Sequence, residues 1–599
     1  MNTIVHRPDP RARAMRRAGA LLAALAGGAT LCLAQTTIGL DFVGGQSGAT
    51  TSTMSSTESA GVVSQTNWNN LTGASGTATT IKNGSGATVS GMTVTYSSTN
   101  TWADAGVANT AGNLRMMRGY LDINTNGAST AVSVSGLSSL GYYDVYVYAA
   151  GDGSNRVGEY TIGNQTYWTN DTATFSGSFT RSTGETDPGS YQNATAGNYM
   201  VFSDLTGNSV SLTATGAYAA DGTLRAPVNG IQIVQLPTLY WDRNGSTAGA
   251  GTAPSGTWSS SAANWSSSSA GTAATTAWTS GDLAVFSAGS TSTGSFTVTV
   301  SGTVTASSMI VQEGNGTFTG GMINVTGTTP QVNVVAGSTT TINSQIASSG
   351  GFYKTGDGTL VVGSTANAWS GPTVVRAGTL TLGTSNVLPS GTDLNVESGA
   401  TFNLNSYTQT IDALSGAGVL QLAGGTLIVG AANGSSTFAG SFASGDTGKL
   451  QKTGTGTLTF GAGMNLAGGN LVLNGGTLAL GGFTSTFSTL TVTANSTLDF
   501  SGMSVLNVSS LNVNSGVTLT VTNWADTVDF FYSLLNPGSA NLGRIVFTGY
   551  SAGNTKWESF DHEITPVPEP ASYGAMFMLA ALMACAWLHF RSTSTFDRT

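Results

Sequence analysis

The tripeptide Gly-Thr-Leu recurs along the second half of this chain of 599 residues. It begins at Gly358, Gly378, Gly425, Gly456 and Gly476, and two of the intervals, 358 to 378 and 456 to 476, are both 20 residues. A fixed period of about 20 residues with short alternating strands is typical of a solenoid, in which each repeat forms one rung. We therefore predict that Thr, Val and Leu side chains stack inward in ladders, with Gly and Asn at the corners.

Longer blocks around these tripeptides also repeat. Residues 353–360 read Tyr-Lys-Thr-Gly-Asp-Gly-Thr-Leu, and residues 450–458 read Leu-Gln-Lys-Thr-Gly-Thr-Gly-Thr-Leu. This Lys-Thr-Gly-x-Gly-Thr-Leu block resembles the autotransporter-associated β-strand repeat. Residues 240–286, which start with Tyr-Trp-Asp and contain three further tryptophans, are similar to the opening segment of that family. The resemblance implies a right-handed parallel β-helix that forms an exposed stalk.

The composition of the chain favours strands and turns. Charged residues make up 8% of the chain, against about 25% in an average globular protein. Thr, Val, Ser and Gly alternate, and helical periodicity is weak. We predict an all-β protein in which residues 237–522 form the β-helix. Residues 523–566 are expected to form a cap or linker, because an open solenoid end exposes unpaired strand edges.

Residues 35–236 lie before the repeats and are predicted to form a β-sandwich or jelly-roll-like domain. The alternating segment 143–148 indicates a half-buried strand, and residues 229–234 indicate the last strand. The segment from Leu137 to Tyr148 resembles non-catalytic jelly-roll modules of the carbohydrate-binding kind. Two interpretations of its tyrosines remain open, sugar stacking and core packing, and they concern Tyr142, Tyr143, Tyr146 and Tyr148.

The N-terminal end carries a targeting signal. Five arginines lie within residues 1–17, and the following residues 18–34 are apolar and small. This order is typical of a secretory signal peptide, which is removed on export. We predict that residues 1–34 are the signal peptide and that cleavage occurs between Ala34 and Gln35.

The C-terminal end combines the motif Pro568-Glu569-Pro570, an uncharged apolar run over residues 571–590, and Arg591. Twenty residues give roughly 30 Å of helix, enough to cross a bilayer. We therefore predict one transmembrane helix over residues 571–590, with Arg591 as the membrane stop.

The order of these C-terminal features resembles the PEP-CTERM sorting signal of Gram-negative bacteria, here residues 567–599. The resemblance implies an exosortase-type sorting enzyme as a partner and a membrane association that is transient. It also implies delivery through the inner membrane to the cell surface, the outer membrane or an extracellular polysaccharide matrix. An ordinary single-pass anchor is the alternative, and whether the helix is cleaved or retained is left open.

Charge and histidine content restrict the chemistry. The formal net charge is −9, and an acidic chain poor in lysine argues against nucleic acid as a partner. Only His562 lies outside the two targeting segments, so a histidine-based triad or a multi-histidine metal site is excluded. We predict no catalytic residue, no cofactor and no metal ligand.

Two groups of acids remain as weaker alternatives. Asp393 and Glu397 are the closest pair of acids in the repeats, where paired carboxylates would be needed for glycoside hydrolysis. Four acids of the N-terminal domain are compatible with one structural calcium: Asp152, Glu159, Glu185 and Asp187.

These observations together favour a non-catalytic exported protein of the cell surface or extracellular matrix, with a structural or adhesin-like role. Two alternatives stay open. One is a glycan-binding surface protein that uses the N-terminal domain, and the other is a polysaccharide-active β-helix enzyme.

Overall fold

The computed structural model describes residues 35–45, 52–171, 174–185, 187–551 and 553–567. Helical structure in this part of the chain is limited to α1 (Asn113–Met116), α2 (Ser539–Leu542) and a 3-10 turn (Ser138–Leu140). The prediction of an all-β chain is therefore confirmed for the described residues. The chain divides into two compact units, Met1–Pro237 and Thr238–Thr599.

The predicted signal peptide and sorting signal lie outside the described residues. Among the residues that the structure does describe, no helix is long and apolar enough to cross a membrane. The expected transmembrane helix over residues 571–590 belongs to the part that is not described, so it stays a prediction.

The N-terminal unit is built from short strands. In chain order they are β1 (Thr37–Phe42), β2 (Asn69–Leu71), β3 (Ser75–Ala78), β4 (Thr93–Ser97), β5 (Asn100–Ala103), β6 (Gly119–Asp122), β7 (Ser129–Ser135), β8 (Tyr142–Tyr148), β9 (Arg156–Ile162), β10 (Gln165–Asp171), β11 (Tyr199–Thr206), β12 (Ser209–Ala219) and β13 (Gly230–Gln235).

Two sheets of the N-terminal unit share one apolar core. The five-stranded sheet has the order β11-β8-β13-β1-β2, and the six-stranded sheet has the order β10-β9-β12-β7-β4-β3. Rings from the two sheets meet in this core: Phe42 lies 5.5 Å from Tyr96, and Tyr167 lies 5.1 Å from Phe202. A separate two-stranded hairpin, β5-β6, lies outside both sheets.

Strand β8 is covered on both faces, which differs from the half-buried strand that its alternation predicts. Tyr143, Val145 and Val147 point into the core between the sheets. Tyr146 and Tyr148 belong to a second apolar cluster that includes Trp68 from a loop. This loop layer supplies the second buried face, and its packing could not be read from the periodicity of one strand.

Asp41 lies in β1 and is fully buried. Neither of its carboxylate oxygens has a hydrogen-bond partner among the described residues. Burial, with a smaller repulsion from Glu58, raises the pKa of Asp41 well above its ordinary value. The folded chain therefore keeps this carboxyl protonated at a pH where the unfolded chain has released the proton.

We expect this protonation to make the N-terminal unit lose stability as the pH rises above about 4. At pH values between the pKa of Asp41 in the unfolded chain and its pKa in the folded chain, the unfolded state binds fewer protons. The free energy of unfolding therefore falls by up to about 1.4 kcal/mol per pH unit. The variant Asp41→Asn has no titratable carboxyl at this position, so its free energy of unfolding should depend less on pH. Chemical denaturation of both proteins across acidic to neutral pH checks this, and parallel profiles would contradict it.

The second unit is a solenoid of strands that pair in parallel, except for one antiparallel pair near each end. In chain order they are β14 (Thr238–Trp241), β15 (Gly256–Trp258), β16 (Trp265–Ser266), β17 (Leu283–Phe286), β18 (Ser295–Val300), β19 (Thr303–Ala306), β20 (Met309–Val311), β21 (Asn315–Thr319), β22 (Met322–Val325), β23 (Gln331–Val334), β24 (Thr339–Ile342), β25 (Gln345–Ser348), β26 (Phe352–Thr355), β27 (Thr359–Val362), β28 (Ala368–Trp369), β29 (Thr373–Val375), β30 (Thr379–Leu382), β31 (Leu394–Val396), β32 (Thr401–Asn403), β33 (Thr408–Ile411), β34 (Leu414–Gly416), β35 (Val419–Gln421), β36 (Thr426–Val429), β37 (Ser436–Phe438), β38 (Ser441–Phe442), β39 (Lys449–Thr453), β40 (Thr457–Phe460), β41 (Asn465–Asn474), β42 (Thr477–Ala479), β43 (Thr484–Ala494), β44 (Ser496–Asp499), β45 (Val505–Val513), β46 (Leu519–Thr522), β47 (Phe530–Ser533), β48 (Ile545–Phe547), β49 (Thr555–Trp557) and β50 (Ile564–Pro566).

Four sheets form the sides of the solenoid, with 15, 9, 4 and 7 strands. From β17 to β39 the chain passes in turn through the 15-stranded sheet, the nine-stranded sheet and, in most turns, one of the two smaller sheets. From β40 to β48 it alternates between the 15-stranded and seven-stranded sheets. The solenoid makes about 12 turns, so the predicted parallel β-helix is confirmed.

Side chains stack in register between rungs. Leu360, Leu380, Phe402, Leu420 and Phe442 are consecutive partners on the nine-stranded sheet, and all are buried. The threonines of the Gly-Thr-Leu tripeptides are half-buried, and so they do not point inward as expected. The reason is the period of two along a strand, which turns the residue before each inward leucine outward.

The parallel ladders continue past residue 522, where the sequence predicts that the repeats end. Strand β47 pairs with β45, and β48 pairs with β46. Phe531, Ile545 and Phe547 are buried and fill the interior of these last rungs. They occur without a Gly-Thr-Leu tripeptide, which is why the motif underestimates the length of the ladder. An antiparallel hairpin, β49-β50, follows.

Lys354 is a buried residue that forms hydrogen bonds at a corner of the solenoid. Its side chain is fully buried, and Nζ donates hydrogen bonds to the carbonyl oxygens of Thr355, Gly356 and Ala377 at 2.9, 2.6 and 3.0 Å. Lys452 occupies the matching position in the second sequence block and is also buried. The lysine of the repeated block therefore satisfies carbonyl groups at a turn, including one that lies 23 residues further along the chain.

Burial lowers the pKa of Lys354 to about 8, and the charge of Asp357 opposes this shift. Between about pH 8 and pH 10.5 the unfolded state binds more protons than the folded state, so stability contributed by this group rises with pH. We expect the free energy of unfolding of the wild type to rise, relative to that of Lys354→Met, by up to about 1.4 kcal/mol per pH unit. Denaturant titrations of both proteins in this range check this, and a constant difference would contradict it.

Candidate ligand-binding cavity

The residues predicted to direct export and sorting fall almost entirely outside the described part of the chain. This holds for Ala34, for Pro568, Glu569 and Pro570, and for Arg591. Gln35 is described and exposed, and its side-chain amide donates a hydrogen bond to the carbonyl oxygen of Gln235 at 2.5 Å.

The tyrosines of β8 support the interpretation of core packing over sugar stacking. Tyr143 and Tyr148 are fully buried, Tyr146 is 7% exposed, and Tyr142 is half-buried. The Tyr148 hydroxyl donates to Gln232 Oε1 at 2.8 Å and accepts a hydrogen bond from the backbone of Val62. This hydroxyl holds a loop against the sheet.

The four acids considered for calcium do not form one metal-binding cluster. Asp152 lines one cavity, while Glu185 and Asp187 line a separate cleft beside Trp168. Glu159 lies within β9. The described residues include no group of three or more His, Cys, Asp or Glu side chains arranged to hold a metal ion.

Asp393 and Glu397 flank the three-residue strand β31 and have different partners. Asp393 accepts a hydrogen bond from the backbone of Ala413 at 3.2 Å. Glu397 forms an ion pair with Arg376 at 3.4 Å. The structure therefore engages both acids in contacts between rungs.

The cavity that Asp152 lines is the most distinct candidate site in the N-terminal unit. Its volume is about 350 Å³. The β5-β6 hairpin forms one wall, and its register places Asn100 opposite Asp122 and Trp102 opposite Tyr120. Because directly paired residues share a face, these four side chains project toward the cavity together.

The remaining walls come from the segment that joins β8 to β9, from β10 and from the loop before β13. The turn after β8 contributes Asp152, and the start of β9 contributes Arg156. The end of β10 contributes Asp171, which is the register partner of Arg156. The loop before β13 contributes Arg225. The sheet topology thus assembles residues that are up to 127 positions apart (100 to 227).

Ion pairs organise the charges of the cavity. Arg225 Nε lies 3.5 Å from Asp122 Oδ1, and Asn100 donates to Asp122 Oδ2 at 3.2 Å. Arg156 lies 3.6 Å from Asp152 and donates to Asp221 at 2.9 Å. Each arginine of the cavity therefore has at least one carboxylate partner.

Burial dominates the titration of the enclosed groups. It raises the pKa of Asp122, against the effects of the Asn100 hydrogen bond and the Arg225 charge. Burial, with repulsion from Asp152 and Asp122, also raises the pKa of the Tyr120 hydroxyl. The Tyr120 hydroxyl is also hydrogen-bonded to Asp152.

Sequence reasoning singled out Asp152 and missed the rest of this cavity. Trp102 and Tyr120 lie in strands of only four residues, and no motif links them. The sequence signal that could have indicated this wall is a polar and an aromatic residue two positions apart in each strand. These are Asn100-x-Trp102 and Tyr120-x-Asp122.

The family comparison concerns two segments of the solenoid. Residues 352–382 and 450–480 match the family described as passenger-associated-transport-repeat. The first segment runs from β26 through β30, and the second from β39 into the residue after β42. Both contain the buried corner lysine and two Gly-Thr-Leu tripeptides.

A stretch of 205 residues is 30% identical to the adhesin BmaC autotransporter of Brucella suis biovar 1 (strain 1330). This stretch is 34% of the present chain and 6% of the adhesin. No solved structure matches the chain. The two sequence blocks identified from the Lys-Thr-Gly-x-Gly-Thr-Leu pattern thus match the passenger-associated-transport-repeat model, and both lie on the parallel β-solenoid.

Proposed function

We propose that this chain is a non-catalytic, adhesin-like protein of the bacterial cell surface or extracellular matrix, with the solenoid as its structural stalk. The observation that carries the proposal is the parallel ladder of the solenoid, two segments of which match the passenger-associated-transport-repeat model. The partial similarity to an adhesin autotransporter supports the same role.

The acids of the solenoid favour a structural role over catalysis. Asp412 accepts hydrogen bonds from the backbones of Ala432 and Gly434 at 2.7 and 2.9 Å. Asp446 accepts from the backbone of Ala423 at 2.8 Å. Each contact joins adjacent rungs, so these carboxylates satisfy backbone donors at the corners. A polysaccharide-active enzyme is accordingly the weaker candidate.

Export and sorting are part of the proposal. A signal peptide cleaved between Ala34 and Gln35 would direct the chain across the inner membrane of a Gram-negative-type bacterium. Pro568-Glu569-Pro570, the apolar run 571–590 and Arg591 would then form the sorting signal that an exosortase-type enzyme recognises. The partners are this enzyme, the membrane through the C-terminal helix, and an extracellular polysaccharide, without nucleic acid.

Cell fractionation with intact-mass analysis of the native protein tests this route. We expect a chain that starts at Gln35, ends close to Pro568 and is accessible to protease added outside intact cells. A full-length C-terminus in the inner membrane, shielded from that protease, would overturn the surface role.

Adhesion is measured separately with a deletion strain and the same strain complemented by the full chain. We expect the deletion to reduce attachment to a polysaccharide-coated surface and complementation to restore it. Equal attachment of both strains would contradict the adhesin-like role while leaving the export route in place.

A further inference from the structure

We propose that the cavity of the N-terminal unit is a binding site for one or two sugar residues of a neutral glycan. Trp102 would supply the apolar wall, and Asp122, Asp152, Arg156 and Arg225 the polar contacts. The inference deepens the proposed surface function, on which its biological setting rests, by assigning a ligand class to a defined site.

The size of the cavity suits a small ligand. A volume of about 350 Å³ lies at the lower end of the range of roughly 300–1,000 Å³ that is usual for small-molecule sites. One or two sugar rings fit such a space, whereas a folded protein partner or a long polymer would contact it only with a terminal or branching residue.

The hairpin wall has the amphipathic chemistry that a sugar ring presents. Trp102 is half-buried, so part of its ring is available to the C–H face of a pyranose, and the buried Tyr120 lies opposite it. Asn100 and Asp122 form the neighbouring pair on the same face. An amide and a carboxylate beside two aromatic rings can accept and donate hydrogen bonds to the ring hydroxyls.

The charges of the cavity favour a neutral ligand. Three carboxylates (Asp122, Asp152 and Asp171) and two guanidinium groups (Arg156 and Arg225) line it. An anion would meet the carboxylates, and a cation would meet the arginines, so neither charge is matched throughout the site. Hydroxyl groups both donate and accept, so they suit acids and arginines together.

The polar groups are held in place before a ligand arrives. Asp122 and Asp171 are each 6% exposed, and Tyr120 is 3% exposed. The Arg156 Nε–H is buried and has no hydrogen-bond partner among the described residues. Ordered side chains lose little conformational entropy on binding, which favours specific recognition of a small polar ligand.

An array of short neutral oligosaccharides, with sialylated and uronate-containing oligosaccharides as comparators, tests the proposal on the purified full chain. We expect the chain to bind at least one neutral oligosaccharide. We do not expect it to bind the charged comparators alone. Trp102→Ala and Asp152→Asn should each weaken this binding by roughly tenfold or more. Circular dichroism melting of each variant establishes that it is folded.

Trp168→Ala is the matched control, because Trp168 is a half-buried tryptophan of the same unit that lines the separate cleft. It should bind like wild type. The proposal is overturned if no neutral oligosaccharide binds, or if Trp168→Ala reduces binding as much as both cavity variants. It is also overturned if folded Trp102→Ala and Asp152→Asn bind unchanged.

Failure of this inference is distinguishable from failure of the proposed surface function. A protein that is displayed on cells and supports attachment, but binds no oligosaccharide on the array, keeps the surface function and loses the glycan site. A protein that binds the array through the cavity but is retained inside the cell keeps the site and loses the surface function.

Discussion

Replacing Trp265 by alanine is expected to destabilise the first rungs of the solenoid by about 3–5 kcal/mol. Trp265 is fully buried, and its ring lies 4.5 Å from that of Trp278, 5.1 Å from Phe286, 5.2 Å from Trp241 and 5.3 Å from Trp258. Loss of the ring removes apolar burial and leaves a cavity at the centre of this aromatic cluster.

The position of Trp265 explains why the effect should be large. Strand β16 pairs antiparallel with β14 at the edge of the 15-stranded sheet, where the parallel order ends. Trp265 therefore helps to close the end of the solenoid, and each rung contacts mainly its neighbours. Hydrogen exchange should accelerate by roughly a hundredfold or more in β14 to β18, with a smaller change in distant rungs.

Trp557→Ala provides a comparison within the same unit. Trp557 is half-buried, stacks on His562 at 5.6 Å and donates a hydrogen bond to the carbonyl of Ser533 at 2.8 Å. We expect a loss of about 1–2 kcal/mol that is confined to the terminal hairpin. Equal losses for both variants in denaturant unfolding would contradict a special role for the opening aromatic cluster.

Replacing Gly378 by alanine is expected to cost about 2–5 kcal/mol, although only one methyl group is added. The φ angle of Gly378 is +63°, where an L side chain is strained. An added Cβ would lie 2.4 Å from the carbonyl oxygen of Gly358 and 2.6 Å from that of Gly356. These atoms belong to the backbone of the preceding rung, so the rungs must separate at this corner.

The same displacement weakens a hydrogen bond between rungs. The backbone of Thr379 donates to the carbonyl of Gly358 at 3.1 Å, immediately beside the added methyl group. Gly337→Ala is the matched control, because Gly337 has a φ of +81° but open space around its Cβ position.

The control should lose only about 1–2 kcal/mol, the cost of the backbone conformation. The difference between the two variants in chemical denaturation then measures the contact between rungs. If both variants lose the same free energy of unfolding, steric contact at the Gly378 corner contributes nothing and the expectation fails.

The solenoid was predictable because each repeat in the sequence corresponds to one rung of the structure. Each Gly-Thr-Leu tripeptide holds a turn residue, an outward residue and an inward residue, and the 20-residue spacing between Gly358 and Gly378 is the length of one rung. Where the tripeptide is absent, as between residues 523 and 547, the continuation of the ladder escaped prediction although Phe531 and Phe547 are buried in it.

The candidate cavity was largely unpredictable for the opposite reason. Trp102, Asp152, Asp171 and Arg225 belong to separate segments of the N-terminal unit, and no local pattern connects them. The tyrosines of β8 drew attention to the wrong surface, because alternation along one strand does not reveal that a loop layer covers its second face.

The sequence by itself determined the all-β class, the parallel solenoid and the register of its repeats, because a fixed period imposes the same strand and corner on each successive rung. Only the tertiary structure decided which side chains close the solenoid, which loop residues cover the second face of β8, and which residues meet in the cavity. Those outcomes depend on contacts between residues far apart in the chain, which burial and sheet topology select and local propensity does not encode.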